Sequence, residues 1–259
     1  MRICRAGVFC RPCPLLLTAL VALATVASEE RSFGQEDASK DDAEEVPAAE
    51  AQVIKIGEHT YRLGEIVFDS KAREIRVPAV INMREGGPIE YLLVHENGAV
   101  HEALLTTSAR GLHLQIVFKL LRFQAGEGDL FDTFLPEEER RRKVETGAIE
   151  KSQRGDAISI VAQWTTESET QESPASRWIL DAETGKAMSD EPWILTGSHF
   201  YSGHFLADTE GSLIGVYLDQ VALLNMSREG AENDERWGAN DAAIPEIGQK
   251  VTLLLRPAD

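Results

Sequence analysis

The sequence predicts an α+β fold: a largely antiparallel sheet built from hairpins, with one principal amphipathic helix at about residues 110–123. Strand-like alternation of apolar and polar residues dominates the chain from residue 53 onward. Clear helical periodicity is confined to a single stretch. Short turn segments separate most predicted strands, which favours antiparallel neighbours because parallel strands need long crossovers.

The first predicted hairpin joins Gly64–Phe68 to Arg73–Val77 through the polar turn 69–72. Both arms alternate polar and apolar residues, as strands with one buried face do. The apolar run Pro78–Ile81 follows the second arm.

A second hairpin is predicted from Ile89–His95 and Ala99–Leu105, which flank Asn97-Gly98. Asn-Gly favours a two-residue hairpin loop because both residues accept a positive φ. The register stays open. A two-residue loop places His95 and His101 on opposite faces of the sheet, whereas a three-residue loop places them on one face.

The principal helix is predicted from Arg110 to Phe123 because apolar residues such as Leu112 and Ile116 fall on one face. The apolar pattern then lapses over residues 124–153, which indicates a charged insertion. Within it, Pro136 followed by glutamates and then basic residues predicts a short solvated helix. Further strands are predicted at Ile158–Trp164, Arg177–Asp181, Trp193–Phe200, Ser212–Leu218 and Val251–Leu255.

Residues 1–27 are predicted to be a cleaved secretory signal. Three arginines precede an uncharged, leucine-rich stretch from Pro12 to Ser28. That stretch is short for a membrane span, which takes about 20 apolar residues. We expect cleavage after Ala27, with an uncleaved anchor as the alternative. Residues 28–52, with nine acidic and two basic residues, are predicted to be a disordered acidic linker before a single domain at 53–259.

All three cysteines, Cys4, Cys10 and Cys13, lie inside the predicted signal. The mature chain would then contain no thiol, so an iron–sulfur cluster held by cysteine is rejected as a cofactor. Disulfide bonds are excluded for the same reason. We expect no cofactor, with a divalent metal as the alternative.

The charge balance limits the partners. The chain carries 43 acidic and 26 basic residues, a formal net charge of −17. Nucleic acid is excluded, because a phosphate backbone is bound by clustered lysine and arginine. No second apolar stretch is long enough to span a membrane, so we expect no integral membrane protein after cleavage. An envelope component, a small molecule or a glycan remains as a possible partner.

The first candidate site is a metal-ligand set of His101, Glu102 and His113. Imidazole and carboxylate groups are common ligands of first-row metals. His113 lies on the apolar side of the predicted helix, so the three groups meet if that helix packs on the face that carries His101. The alternative is structural, with His113 at the edge of the core and its neighbours satisfying backbone groups.

A second candidate site is a ligand-binding corner made of Ser198, His199, His204 and Asp208. It contains the residue types of a serine hydrolase. It lacks the G-x-S-x-G turn that exposes an activated serine, so catalysis is not favoured there. Ligand contact and a plain polar corner remain as alternatives.

Several segments together resemble the YdjY-type domain of bacterial exported proteins, over most of Ile56 to Pro257. They are Ile89–Val94, His101–Leu105, Leu112–Leu114, Trp193, Thr196–Ser198, Ala207-Asp208, Gly211–Ile214, Asn233-Asp234, Asn240 and Pro245–Thr252. The resemblance implies an exported domain and no particular activity. Some members are loosely described as ferredoxin-like, but this chain departs from that label because its predicted mature form has no cysteine to ligate iron.

The sequence thus predicts an exported protein of the periplasm or the extracellular space. Its predicted function is that of a non-catalytic binding or structural module, since no motif identifies an enzyme. The alternative is a metal-binding protein or metal-dependent enzyme that uses His101, Glu102 and His113.

Overall fold

The computed structural model of the chain describes residues 52–146, 154–167 and 169–258. The predicted signal, all but the last residue of the predicted linker, and the end of the predicted insertion lie outside the described residues. The strands are β1 (Val53–Lys55), β2 (Thr60–Leu63), β3 (Ile66–Asp69), β4 (Glu74–Ile81), β5 (Tyr91–His95), β6 (Ala103–Thr107), β7 (Ala157–Thr165), β8 (Thr170–Pro174), β9 (Ile179–Asp181), β10 (Lys186–Ala187), β11 (Trp193–Leu195), β12 (Phe200–Tyr201), β13 (His204–Phe205), β14 (Ser212–Gly215), β15 (Leu224–Asn225), β16 (Trp237–Ala239) and β17 (Lys250–Pro257). The helices are α1 (Gly111–Leu120), α2 (Glu137–Glu145) and α3 (Leu206–Glu210).

The α+β prediction is wrong: the described chain is mostly β and forms a closed eight-stranded barrel. The barrel order is β4, β17, β7, β11, β15, β14, β5 and β6. The ring closes because β6 pairs with β4, with Val80 opposite Thr106 and Ile81 opposite Leu105. The predicted principal helix is one of three short helices in the described residues, and it spans Gly111–Leu120 instead of 110–123.

The barrel interior is a packed core. Along β4, Ile75, Val77, Ala79 and Ile81 are buried, and the residues between them are partly or fully exposed. This alternation matches the period of two along a strand, so one face of β4 fills the barrel and the other forms its outer wall. An eight-stranded barrel is narrow enough for side chains to fill its interior, and these buried residues belong to the hydrophobic core.

Strand β4 belongs both to the barrel and to an extension of the sheet made of β3, β2 and β1. Its first half pairs with β3 through residues 74–76, and its second half pairs with β6 through residues 80–81. Strands β3, β2 and β1 continue the sheet outward from β4. Between the two halves, the Thr107 hydroxyl donates a hydrogen bond of 2.6 Å to the Pro78 carbonyl.

The predicted Asn97-Gly98 hairpin does not form. Strands β5 and β6 are parallel neighbours, with Tyr91 opposite Ala103 and His95 opposite Thr107. Neither Asn97 nor Gly98 has a positive φ. A Cβ added to Gly98 would lie 3.1 Å from the Gly211 Cα, so the glycine here permits close backbone approach.

The connection between β5 and β6 is a tight crossover that ends in a 3-10 turn at Val100–Glu102. A parallel pair, β14 and β15, recurs on the other side of β5, and β14 and β5 are antiparallel. The barrel therefore contains two short parallel crossovers that local turn signals did not indicate.

Candidate functional site

The predicted metal ligands lie at opposite ends of β6. His101 and Glu102 belong to the 3-10 turn before the strand, where His101 Nε2 lies 3.3 Å from Glu102 Oε1; His101 is exposed and Glu102 is half-buried. His113 lies in α1, after the strand. The five residues of β6 alone span roughly 16 Å. The described residues contain no group of three or more His, Cys, Asp or Glu side chains that could hold a metal.

His113 is a buried residue of the first turn of α1. It packs against the turn between β2 and β3, where a Cβ added to Gly64 would lie 2.5 Å from His113 Nδ1. Gly64 has a φ of +56°, so this turn requires glycine both for its backbone and for the space that the imidazole fills.

His95 lies at the far end of β5 from His101. Its Nδ1 accepts a hydrogen bond of 3.2 Å from the Asn97 backbone N–H. The parallel pairing places it opposite Thr107, the last residue of β6. Neither of the two hairpin registers that the sequence left open is formed, because β5 and β6 are parallel.

The predicted ligand corner contains a protruding hairpin, β12–β13. Ser202 and Gly203, with φ angles of +49° and +86°, form its two-residue turn. Tyr201 pairs with His204 across that turn. The side chains of Phe200 and Tyr201 are exposed, at 62% and 71%. A two-residue turn with both φ angles positive matches the twist of the flanking strands, which explains a hairpin here.

The four predicted ligand residues divide into two pairs. His204, next to the hairpin turn, and His199, at the base of the hairpin, are exposed. Ser198 and Asp208 instead hold helices in place. The Ser198 hydroxyl accepts a hydrogen bond of 3.1 Å from the Ala207 N–H at the start of α3. Asp208 Oδ1 accepts one of 3.0 Å from the Leu112 N–H at the start of α1.

Asp208 also binds Arg110, which precedes α1. The Arg110 Nε and Nη2 atoms donate to Asp208 Oδ2 at 3.2 Å and 2.8 Å. Asp208 thus caps α1 from a separate segment, and its carboxylate favours the positive end of the helix dipole. Both of its oxygens are occupied by protein donors.

A group of carboxylates surrounds Glu90 and Tyr91 at the start of β5. Burial raises the pKa of Glu90, and the negative charges of Glu102, Asp234 and Asp219 raise it further. Burial also raises the pKa of Tyr91, whose hydroxyl donates a hydrogen bond of 3.0 Å to Asp219 Oδ2. The negative charges of Glu102, Asp219 and Asp234 therefore oppose the ionisation of Glu90, whereas the neutral Tyr91 hydroxyl is held by Asp219.

Sequence reasoning missed a groove on the outer wall of the barrel, which we call the wall groove. It has a volume of about 560 Å³ and crosses β6, β4, β17 and β7. Its lining residues are Pro78, Ala79, Val80, Thr106, Thr107, Ser108, Gln163, Trp164, Thr165, Gln249, Lys250, Val251 and Thr252.

The strand register arranges the outward residues of the wall groove in two rows. In the first row, Val80 on β4 pairs with Lys250 on one side and Thr106 on the other. In the second row, Thr252 on β17 pairs with Pro78 and Gln163. The side chains of Pro78 and Val80 therefore form an apolar floor between hydroxyl, amide and ammonium groups.

The lining of the wall groove contains no carboxylate, although the chain as a whole is strongly acidic. Two carboxylates next to it are engaged: Glu172 accepts from Gln163 Nε2 at 2.6 Å and Glu65 accepts from the Ser108 hydroxyl at 2.5 Å. Within the part of the chain that the structure describes, the hydroxyls of Thr106 and Thr252 have no hydrogen-bond partner. They are free to bind a ligand.

Strand alternation in the sequence places Val80, Lys250 and Thr252 on exposed faces. The sequence alone did not show the pairing order that brings these strands together, because the paired residues lie more than 20 positions apart.

Comparison of the chain with protein-family models, with curated proteins and with solved structures found no match. Within residues 52–146, 154–167 and 169–258, no helix has the length and apolar character needed to cross a membrane.

Proposed function

We propose that this chain is an exported, non-catalytic binding module that holds a polyhydroxylated ligand, such as a glycan, in the wall groove. Export rests on the signal predicted at residues 1–27, and the YdjY-type domain identity belongs to the same proposal. The observation that carries the ligand class is the lining of the groove, which, among the described residues, combines the unpaired hydroxyls of Thr106 and Thr252 with an apolar floor and contains no carboxylate.

This lining matches a sugar chemically. The apolar floor of Pro78 and Val80 suits the C–H face of a sugar ring. The hydroxyls of Thr106 and Thr252 suit its hydroxyl groups, and so does the side-chain carbonyl of Gln163, whose Nε2 donates to Glu172. Binding sites commonly combine apolar surface with a few polar groups that fix the orientation of the ligand. Each neutral hydrogen bond contributes about 0.5–1.5 kcal/mol, so we expect dissociation constants in the micromolar to millimolar range.

An extended peptide is a poorer match. Peptides that add a strand to a sheet need an open edge with unpaired backbone groups. The groove lies on the face of the sheet, where β17 pairs with β4 on one side and β7 on the other. A peptide in the groove would lack these backbone hydrogen bonds.

The metal alternative gains no support from the geometry, because β6 separates His101 and Glu102 from His113. The hairpin β12–β13 is the second candidate contact surface. Its exposed Phe200 and Tyr201 side chains favour it, since exposed aromatic residues often mark contact sites. Tyr201 and His204 form a pair across the turn, each with a flat ring and a hydrogen-bonding group.

The test is a titration of the full chain with linear hexasaccharides of glucose, mannose and N-acetylglucosamine and with methyl-esterified hexagalacturonate. Isothermal calorimetry measures affinity. We expect saturable one-site binding to at least one of these neutral probes. Thr252→Val, which replaces the hydroxyl by a methyl of similar volume, should weaken that binding about two- to ten-fold.

Thr170→Val is the matched control, because Thr170 is an exposed strand threonine on β8 that does not line the groove. It should leave the affinity unchanged. Absence of saturable binding across the panel would contradict the proposal. Equal effects of the two substitutions would also contradict it, because the groove would then not be the binding surface.

A further inference from the structure

Lys250 is the one charged side chain that lines the wall groove. It is exposed at the start of β17 and lies opposite Val80. Among the residues that the structure describes, it forms no ion pair, whereas the carboxylates beside the groove bind Gln163 and Ser108. Its ammonium group is therefore available to a ligand and is not neutralised by a neighbour.

We infer that the wall groove prefers a polyhydroxylated ligand that carries a carboxylate, as a uronic acid does, and that Lys250 binds this carboxylate. This inference rests on the proposed function. It specifies the ligand class of the same site and assigns one residue to charge selection.

The spacing of the groove suits such a ligand. Neighbouring strands lie about 4.8 Å apart, so the row from Lys250 through Val80 to Thr106 is about 10 Å long. The row that contains Thr252 and Pro78 lies two residues along the strands, about 7 Å away. One or two sugar rings cover this area, with a carboxylate at the Lys250 end and hydroxyls at the Thr106 and Thr252 positions.

The negative net charge of the chain provides a test, because without a local positive charge it should disfavour an acidic ligand. A formal charge of −17 repels an acidic ligand at long range. At an ionic strength of 0.1 M, charges farther than about 10 Å are largely screened, so a carboxylate in the groove interacts mainly with the Lys250 ammonium group and with Glu172 and Glu65 at the border of the groove. Replacement of Lys250 by a neutral residue should therefore abolish the preference for the acid. It should also leave the acidic ligand repelled by the remaining carboxylates.

The experiment compares hexagalacturonate with its methyl ester, in which each carboxylate is replaced by an uncharged ester. Calorimetry with the full chain should show the acid binding about two- to five-fold more tightly than the ester, as expected for an exposed ion pair. The preference should shrink as salt is raised from 0.05 to 0.5 M. In Lys250→Gln, the ratio of the affinity for the acid to the affinity for the ester should fall to one or below.

Lys186→Gln is the matched control, since Lys186 is an exposed lysine on β10 outside the groove. It should keep the preference for the acid. If the two probes bind the unaltered chain equally, or if Lys250→Gln leaves the preference intact, the inference is overturned and the proposed function stands. If neither probe binds and the neutral panel also fails, the proposed function itself is overturned.

Discussion

The role of Asp208 as a helix cap gives a prediction that separates structure from ligand binding. Asp208 Oδ1 accepts a hydrogen bond from the Leu112 N–H, and Oδ2 accepts two from Arg110. Asp208→Ala removes all three acceptor contacts. Asp208→Asn keeps an amide oxygen for the Leu112 N–H and removes the charge that Arg110 binds.

The magnitudes follow from these contacts. Loss of a capping acceptor costs about 1 kcal/mol, within a range of about 0.5–2 kcal/mol. The side chains of Arg110 and Asp208 are 34% and 18% exposed, so their ion pair is partly screened and adds up to about 1 kcal/mol. We expect Asp208→Ala to lower the free energy of unfolding by about 2 kcal/mol and Asp208→Asn by about 1 kcal/mol.

Urea denaturation of the full chain, followed by far-ultraviolet circular dichroism, measures both losses. Asp241→Ala is the matched control, because the Asp241 side chain is exposed and has no hydrogen-bond partner among the described residues. A cycle with Arg110→Ala isolates the ion pair. An Asp208→Ala variant as stable as the control would refute the capping role. Equal losses of unfolding free energy in Asp208→Asn and Asp208→Ala would show that the hydrogen bond to Leu112 and the ion pair with Arg110 do not contribute separately.

Two further predictions concern charge and backbone conformation. Because the folded-state pKa of Glu90 is raised, its stabilising contribution is complete below the unfolded pKa and is lost as pH rises through the folded value. Glu90→Gln should therefore raise the unfolding free energy at pH 7 and change it little at pH 3; a loss of stability at pH 7 would contradict the repulsion. Gly64→Ala should lower thermal stability more than Gly185→Ala, since both have positive φ but only the Cβ at residue 64 meets His113. Equal losses in melting temperature would show that the His113 contact costs nothing.

Local turn chemistry allowed one hairpin to be predicted. Asp69 Oδ1 accepts hydrogen bonds from the Lys71 and Ala72 N–H groups, which stabilises the turn between β3 and β4. The position of α1 was also predictable because its apolar residues repeat within a single segment. These features depend on neighbours in sequence, so they can be read from the sequence.

Asn97-Gly98 shows where such reasoning fails. Its sequence favours a reversing turn, yet the chain crosses over to make β6 parallel to β5. The energy that decides this comes from closing the barrel, in which β6 buries Leu105 and pairs with β4. The reversing turn forms at Ser202-Gly203 instead, where no barrel pairing competes with it.

The order of strands in the barrel also decides which of the candidate residues lie together. His101 and His113 are close in sequence, but an intervening strand separates them. The wall groove joins residues near 80, 106, 163 and 250, whose proximity follows from the order of strands in the barrel. A single sequence shows which of these residues face outward and does not show which strands are adjacent.

The most direct test of the proposed binding module is a ¹H–¹⁵N NMR titration of the full chain with the neutral hexasaccharides and with hexagalacturonate. The largest shift changes should occur at the backbone amides of Val80, Thr106 and Thr252. Changes centred on Tyr201 and His204 would place binding on the hairpin and contradict the role of the groove. No saturable change at any amide would contradict the binding function itself.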